Sequence, residues 1–202
     1  MSLTIPFSAA CERNKDPILE VLQPYLEHIT DVLEIGSGTA QHALHFATHC
    51  PNLRWQTSDQ SQYLDGICAQ LQNSDATNVL APICLDVEES DWGTRDHRYQ
   101  AIYSANTLHI MNPEQVEAFF AGLSRVTKLD GLLMLYGPFK YKGEFTSESN
   151  ASFDQTLRAR GVGSAIRDFE WIDELARVQG FELLADHAMP ANNQCLIWQR
   201  RV

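Results

Sequence analysis

The stretch Val32-Leu33-Glu34-Ile35-Gly36-Ser37-Gly38-Thr39 decides how this chain folds. Residues 32–35 read as a short strand, Gly36 and Gly38 supply a tight turn, and residues 41–48 follow at once as a helix. Strand, glycine turn and helix in immediate succession open an α/β sheet. Toward the C-terminus the alternation continues. Residues 53–58 form a second strand ending at Asp59, and Tyr63, Leu64, Ile67, Cys68 and Leu71 stripe a helix. Residues 80–85 form a third strand ending at Asp86, and residues 101–105 a fourth. Asn112 then caps a helix, with Pro113 at its first position and Gln115 completing a capping box ahead of Val116, Phe119, Phe120, Leu123 and Val126. Asp130-Gly131 turns the chain into a fifth strand over residues 132–136. Toward the N-terminus, Asp16-Pro17 reads as a cap and first helical residue, leading an amphipathic helix that carries Ile18, Leu19, Leu22, Tyr25, Leu26 and Ile29.

The last third has a different texture. Residues 137–168 are loop-rich, with a helical patch over 151–160, and read as an insertion over one end of the sheet. Asp168 caps a helix carrying Trp171, Ile172, Leu175 and Ala176, which Gly180 stops. Residues 181–189 and 194–200 are two strands joined by Pro190-Ala191-Asn192-Asn193, a connection short enough to make them antiparallel. Seven strands, five of them alternating with helices, predict one mostly parallel α/β sheet in a single domain over residues 1–202. Residues 1–30 form a helical lead-in and lid.

Composition supports an ordinary globular chain. Of 202 residues, 44% are hydrophobic and 20% charged, which is ample for one core. Net charge is −11, from 15 Lys+Arg against 26 Asp+Glu, and a surface of that sign repels phosphate backbones and anionic lipid, so neither nucleic acid nor a membrane is an expected partner. The charge is lopsided: residues 1–101 hold 5 bases and 14 acids, residues 102–202 hold 10 and 12. The five cysteines include no C-x-x-C pair and fall in apolar runs, which predicts reduced, mostly buried thiols in a cytoplasmic protein. The first dozen residues lack the pattern of a secretion signal, and no apolar stretch approaches the ~18 residues of a membrane span.

Open α/β sheets bind ligands at the carboxyl ends of their strands. There stand Glu34 and the Gly36/Gly38 turn, then Asp59, then Asp86, then residues 104–109. A glycine turn admits close approach of a ligand to backbone, and an acid 21 residues past Gly38 is placed to hold the hydroxyls of a ribose. Taken singly, these are an ordinary tight turn and solvated strand ends. Taken together, they fit a nucleoside. A dinucleotide site wants a third glycine where this chain has Gln41, which weakens NAD. S-adenosylmethionine has no phosphate, carries positive charge, and suits a ring of carboxylates.

Glu34-x-Gly36-x-Gly38, Asp59 and Asp86 resemble the cofactor motifs of class I S-adenosylmethionine-dependent methyltransferases. The resemblance implies a Rossmann-like fold with helices on both faces and an antiparallel last strand. It also assigns the first acid to the methionine side, the second to the ribose and the third to the adenine amino group. Longer words are more specific. Residues 8–15 (Ser-Ala-Ala-Cys-Glu-Arg-Asn-Lys), 32–42, 55–59 (Trp-Gln-Thr-Ser-Asp), 105–111 (Ala-Asn-Thr-Leu-His-Ile-Met), 136–139 (Tyr-Gly-Pro-Phe), 149–154 (Ser-Asn-Ala-Ser-Phe-Asp), 166–170 (Ile-Arg-Asp-Phe-Glu) and 189–193 (Met-Pro-Ala-Asn-Asn) resemble the methyltransferase-like 26 family, known largely as a domain of unknown function. Two departures stand out: Ala40 replaces that family's usual third glycine, with a methyl expected to crowd the methionine end of the cofactor, and Ala165 replaces a glycine before Ile166.

Methyl transfer from a sulfonium is an in-line displacement, so alignment and exclusion of water supply much of the catalysis. The expected cofactor-binding residues are Glu34, Gly36, Gly38, Thr39, Asp59, Asp86, Ser104 and Asn106, with S-adenosylhomocysteine as product. Candidate catalytic residues are His109, which titrates near neutrality, Asn106 and Tyr136. Asn14, Lys15, Tyr136, Tyr141, Phe139, Asn150, Asp154 and Arg167 are candidates for the acceptor side and lid. Lys140, Lys142, Arg158, Arg160 and Arg167 point to an anionic small-molecule acceptor. His42, His45 and His49 share a helical face beside Cys50, but a spacing of i, i+3, i+7 is not that of a metal site, and no metal is expected. Two other functions stay open: a non-catalytic cofactor-sensing or scaffolding protein, favoured by Ala40, and an NAD-dependent oxidoreductase, disfavoured by Gln41.

Overall fold

A computed structural model describes residues 6–202. Its centre is a seven-stranded sheet built from β1 (Asp31–Ile35), β2 (Arg54–Asp59), β3 (Val79–Cys84), β4 (Tyr99–Ala105), β5 (Thr127–Gly137), β9 (Phe181–Met189) and β10 (Asn193–Arg200). The order across the sheet is β3-β2-β1-β4-β5-β10-β9. β1, β2, β3, β4 and β5 are parallel, and β10 runs against both of its neighbours. This is the mostly parallel sheet with a reversed last strand that the alternation of elements predicted.

Both faces of the sheet are covered, which is why β1 reads as a continuous apolar run with every residue buried. Alternation sorts its side chains. Leu33 and Ile35 join Ile102, Leu133, Leu135, Leu196 and Trp198 beneath α4 (Pro113–Val126) and α6 (Phe169–Val178). Val32 joins Ala101, Tyr103, Met134 and Ile197 beneath α1 (Ala9–Leu26), α2 (Gln41–His49) and α3 (Leu64–Gln72). Glu34 alternates with Leu33 and therefore faces the α1/α2 side, beside the edge-to-face cluster of Phe46, Trp55 and Tyr103. Period-two patterning thus carries a carboxylate into the core directly under the glycine turn.

Residues 137–168 build a separate small sheet in the order β7-β6-β8, from β6 (Phe139–Tyr141), β7 (Glu144–Phe145) and β8 (Arg167–Asp168), with α5 (Glu148–Arg158) beside it. Ser147 caps α5, its Oγ accepting from the Asn150 N–H at 3.2 Å, so this helix starts three residues before the predicted patch.

Four expectations are corrected. The lead-in helix starts at Ala9 rather than at Pro17, because Ser8 Oγ accepts from Cys11 N–H and caps it; Pro17 and Pro24 lie inside the helix. The lead-in's residues 1–5 lie outside the described residues. Asp130-Gly131 is an irregularity within β5, where the register against β4 jumps from Thr127 to Leu132, rather than the turn before it. Asp168 occupies the cap position of α6 without a capping bond, since its carboxylate accepts from Gly143 N–H at 2.9 Å and pairs with Lys140 at 2.9 Å. The five cysteines are free thiols, but only Cys195 is buried and Cys84 is exposed at the sheet edge. Among the described residues no helix is long and apolar enough to cross a membrane.

Candidate functional site

A cavity of about 490 Å³ opens at the carboxyl ends of β1, β2 and β4. One wall is the turn after β1, Gly36 to Thr39; another is Asp59 with Gln60 and Tyr63; a third is Asn106 and Thr107 after β4, continuing to Ile110 and Met111. Leu85 and Val87 close its apolar end, and Ser8 and Cys11 bring the first turn of α1 over it.

The turn demands its glycines. Gly36 has φ +78°, and a Cβ there would stand 2.6 Å from Thr107 Cγ2, so a side chain would force the β1 and β4 ends apart. Gly38, at φ +55°, donates its N–H to Asp59 Oδ2 at 2.7 Å, while Gln60 N–H donates to Asp59 Oδ1 at 2.8 Å. Burial raises the Asp59 carboxyl above the ordinary range and these two backbone donors pull it back. Gln60 Nε2 donates onward to Asp86 Oδ2 at 2.9 Å, linking the acids after β2 and β3.

Three expected cofactor residues stand behind the wall rather than in it. Glu34 is buried, and its Oε2 accepts from Trp55 Nε1 at 3.0 Å and Ser37 Oγ at 2.9 Å. Burial pushes its carboxyl up to about 7, against the pull of those two donors, and Asp59 adds to the push. Ser104 Oγ donates to the Ile35 carbonyl at 2.7 Å and meets Thr107 Oγ1 at 2.7 Å, clamping β1 to β4. Asp86 sits behind Gln60. Gly36, Gly38, Thr39, Asp59 and Asn106 line the cavity.

Ala40 has φ 56° and is fully buried, in the α1/α2 side of the core. Its methyl lines no part of the cavity, so the expected crowding of the methionine end is corrected, and with it the support that Ala40 lent to a non-catalytic role. Gln41, at the position of a dinucleotide site's third glycine, is occupied elsewhere. Its Oε1 accepts from Ser8 N–H at 2.6 Å and Thr39 Oγ1 at 2.9 Å, and its Nε2 donates to Glu12 at 3.1 Å. The side chain thus stitches α1 across the start of α2, where a pyrophosphate would need open backbone N–H groups.

The acceptor-side candidates divide. His109 is buried beside Asn106 and Gly137; burial, with Arg160 and Arg167 nearby, lowers its pKa to about 4, so the imidazole is neutral rather than poised near neutrality. Asn14 and Lys15 lie within α1 rather than ahead of it. Asn14 Oδ1 accepts from the His42 Nε2–H at 2.7 Å, and burial raises the Tyr136 hydroxyl pKa against a pull from Asn14 and Asn193. Lys15 pairs with Glu12. Phe139 is a core residue. Asn150 Nδ2 donates to Thr146 Oγ1 at 2.8 Å and to the Asn192 carbonyl at 2.9 Å, and Asp154 accepts from Ile166 N–H at 2.7 Å and Arg158 at 2.5 Å. Tyr141 donates to Asp186 at 2.7 Å.

Arg167 is the plainest correction. Instead of facing an anion it is 7% exposed, with Nε on the Leu108 carbonyl at 3.2 Å and Nη2 on the carbonyls of Met111 and Gly163, 2.9 Å for the latter. Lys140 and Arg158 are likewise paired inside the insertion, with Asp168 and Asp154. Of the five bases read as facing an anionic acceptor, Lys142 and Arg160 are exposed cations. The helical histidines are also separated in role: His42 is buried between Asn14 and Tyr103, and His45 sits on Asp16.

Sequence reading did not single out Ser8, Cys11, Ile35, Ser37, Gln60, Tyr63, Leu85, Val87, Ala105, Thr107, Ile110, Met111 and Gln115 as cavity residues. The signal was present for several. Thr107, Ile110 and Met111 belong to the 105–111 word, Ser8 and Cys11 to the 8–15 word, and Leu85 and Val87 flank Asp86.

Solved structures share this fold. Human N-acetylserotonin methyltransferase in complex with SAM is similar with a TM-score of 0.81 at 11% identity, over 96% of this chain and 53% of that one. PigF with SAH gives 0.79 at 15% identity, over 95% and 56%. An O-methyltransferase family protein from Burkholderia thailandensis gives 0.76 at 14%, over 95% and 60%. This chain therefore spans little more than half the length of the solved chains that it matches. The shared architecture is the class I methyltransferase fold. A family model matches residues 5–200, nearly the whole sequence, and the chain belongs to that family, the protein of unknown function family DUF938.

Proposed function

We propose that this chain binds S-adenosylmethionine and transfers its methyl group to a small-molecule acceptor. One observation carries the reading: the cavity at the strand ends presents a glycine turn and Asp59 on one side and an apolar end at Leu85 and Val87 on the other, with no Lys or Arg lining it among the described residues. Such a lining suits a ribose, an adenine and a positively charged group, and offers a pyrophosphate no cationic side chain. Gln41 across the start of α2 argues against NAD on independent grounds.

In this reading Asp59 holds the ribose hydroxyls, Gly36 and Gly38 let the ligand approach backbone, and Asn106 faces the reacting end. Glu34, beneath the turn, lends negative potential to a cation rather than a direct contact. When bound, S-adenosylmethionine supplies an electrophilic methyl group on sulfur. The protein's part is to orient, to exclude water and to hold the acceptor. The first turn of α1 covers the cavity at Ser8 and Cys11 and serves as its lid. The methyltransferase-like 26 resemblance, carried by words from residue 8 to residue 193, supports the same reading. The free thiols fit the reducing cytoplasm.

Calorimetry with S-adenosylmethionine, S-adenosylhomocysteine and NAD tests the cofactor. Micromolar binding of either of the first two is expected, and binding of NAD alone overturns the reading. Incubation with labelled methyl donor and a metabolite extract then tests turnover, a labelled small product being the expected result.

A further inference from the structure

The segment after β3 alternates as it passes the cavity. Leu85 and Val87 are buried and line the apolar end, whereas Asp86 and Glu88 stand outside the lining. Each of these acids holds a glutamine amide from a residue that does line it: Gln60 Nε2 donates to Asp86 Oδ2 at 2.9 Å, and Gln115 Nε2 donates to Glu88 Oε2 at 2.8 Å. Asp86 is itself oriented, its Oδ1 accepting from the Glu88 N–H at 3.1 Å. Of the two glutamines, Gln115 is tied to the start of α4 by the capping box at Asn112. Gln60 instead joins two parts of the cavity. Its N–H donates to Asp59 Oδ1 at 2.8 Å, and its amide reaches the acid between Leu85 and Val87, so the residue runs from the ribose side to the apolar end. The amide is half engaged. Of its two N–H donors one faces Asp86, and of the two lone pairs on Oε1 one receives Gln62 Nε2 at 2.9 Å. One donor and one acceptor remain.

We infer that Gln60 reads the base of the cofactor and that Asp86 is its positioning residue: the remaining donor and acceptor of the Gln60 amide pair with an adenine edge, and Asp86 fixes which atom of the amide is which. This assignment rests on the cofactor reading above and deepens it, moving to Gln60 the adenine contact expected of Asp86. An adenine edge offers an amino donor beside a ring-nitrogen acceptor, the complement of an amide. A 6-oxo base carries an acceptor where adenine carries the amino group, and an amide matches it only by turning over. Turned over, Gln60 would set Oε1 against the Asp86 carboxylate, which accepts and does not donate. The amide therefore keeps one orientation, and that orientation selects adenine. Leu85 and Val87 supply apolar surface for the flat face of the base.

The test uses the full chain and two probes, S-adenosylhomocysteine and its 6-oxo counterpart S-inosylhomocysteine, with both affinities taken by calorimetry. The wild type is expected to favour the adenine probe at least about tenfold. Gln60→Met keeps the side chain's length and the backbone bond to Asp59 but not the amide, and should bring the two probes within about threefold of each other. Asp86→Asn presents a donor as well as an acceptor, so the Gln60 amide can turn over. It should tighten the 6-oxo probe at least about threefold, a gain that damage to the fold does not produce. In a chain already carrying Gln60→Met, Asp86→Asn should leave the ratio of the two affinities unchanged, because Asp86 acts through Gln60. Equal binding of both probes by the wild type, a preference that survives Gln60→Met and so resides in Asp86 or Gln115, or an Asp86→Asn chain that gains nothing for the 6-oxo probe would each overturn the inference. Failure of S-adenosylhomocysteine to bind the wild-type chain is a distinct result, removing the cofactor reading and this one with it.

Discussion

The backbone N–H of Gly38 donates to Oδ2 of Asp59 at 2.7 Å, a single bond that ties the turn after β1 to the end of β2. It sets the cavity's shape before any ligand arrives, because the carboxylate that would hold a ribose is already oriented by two backbone donors. Asp59→Ala should therefore do two things at once: weaken S-adenosylmethionine at least about tenfold, and cost about 1 kcal/mol of stability through the two lost hydrogen bonds, whose donors water can reach. Asp59→Asn, which keeps an acceptor oxygen without the charge, should recover much of the stability and little of the affinity. Calorimetry beside denaturant unfolding separates the two effects.

Glu34 makes stability depend on pH in a defined window. Its folded-state pKa, about 7, lies above the ordinary value of 4.5, so the folded chain keeps a proton that the unfolded chain releases between those values. The stability it contributes is complete below pH 4.5 and is lost as pH rises toward 7, on the order of 3 kcal/mol in all. Glu34→Gln keeps an oxygen for Trp55 and Ser37 but cannot ionise. The difference in unfolding free energy between wild type and this variant should thus slope across the window and flatten outside it. Binding of a cationic cofactor favours the ionised form, so calorimetry in buffers of different ionisation enthalpy should show proton release for the wild type and none for Glu34→Gln.

Ala40 tests whether its methyl or its backbone matters. A non-glycine residue at φ 56° carries roughly 1–2 kcal/mol of strain, whereas removing a buried methyl costs about 0.8 kcal/mol and the freer unfolded chain of a glycine variant about half that again. The terms nearly cancel. Ala40→Gly should change stability by no more than about 1 kcal/mol and leave cofactor affinity within about twofold, since the methyl packs into the core. A tenfold gain in affinity would restore the idea that Ala40 crowds the site.

Why some features were legible and others not follows from how each is encoded. The sheet was readable because its central strands are buried on both faces and end at glycine or acidic residues, a local pattern. The capping box at Asn112 was equally local, and both of its bonds are present. The start of α1 was misread because Asp16-Pro17 is a strong local signal, and only Gln41, which holds Ser8 N–H in place from 33 residues away, shows which cap wins. Gly122 lies inside α4, where a Cβ would stand 2.0 Å from Trp92 Cζ2, a contact with a loop tryptophan that no local pattern announces. Such contacts depend on residues far apart in the chain, and so does the cavity wall that α1 contributes.

Arg167 shows what this means for function. From its sequence it is a cation in a loop-rich insertion; in the fold its guanidinium gathers carbonyls from Leu108 and Met111, beside the cavity, and from Gly163 in the insertion. Two segments that meet nowhere in sequence are joined by one side chain, and one of them carries His109 and Ile110 between its tied carbonyls. Charge reversal at this position therefore cannot act on acceptor KM alone. Arg167→Glu, or the uncharged Arg167→Leu, should lose about 2–4 kcal/mol of stability through unpaired carbonyls, more for the glutamate because it adds repulsion. Both should loosen residues 108–111, so that hydrogen exchange there speeds up and cofactor and acceptor affinities fall together. Arg167→Lys, with one donor head in place of a planar fork, should lie between. A variant that raised acceptor KM while leaving exchange and cofactor affinity untouched would return Arg167 to the acceptor's side.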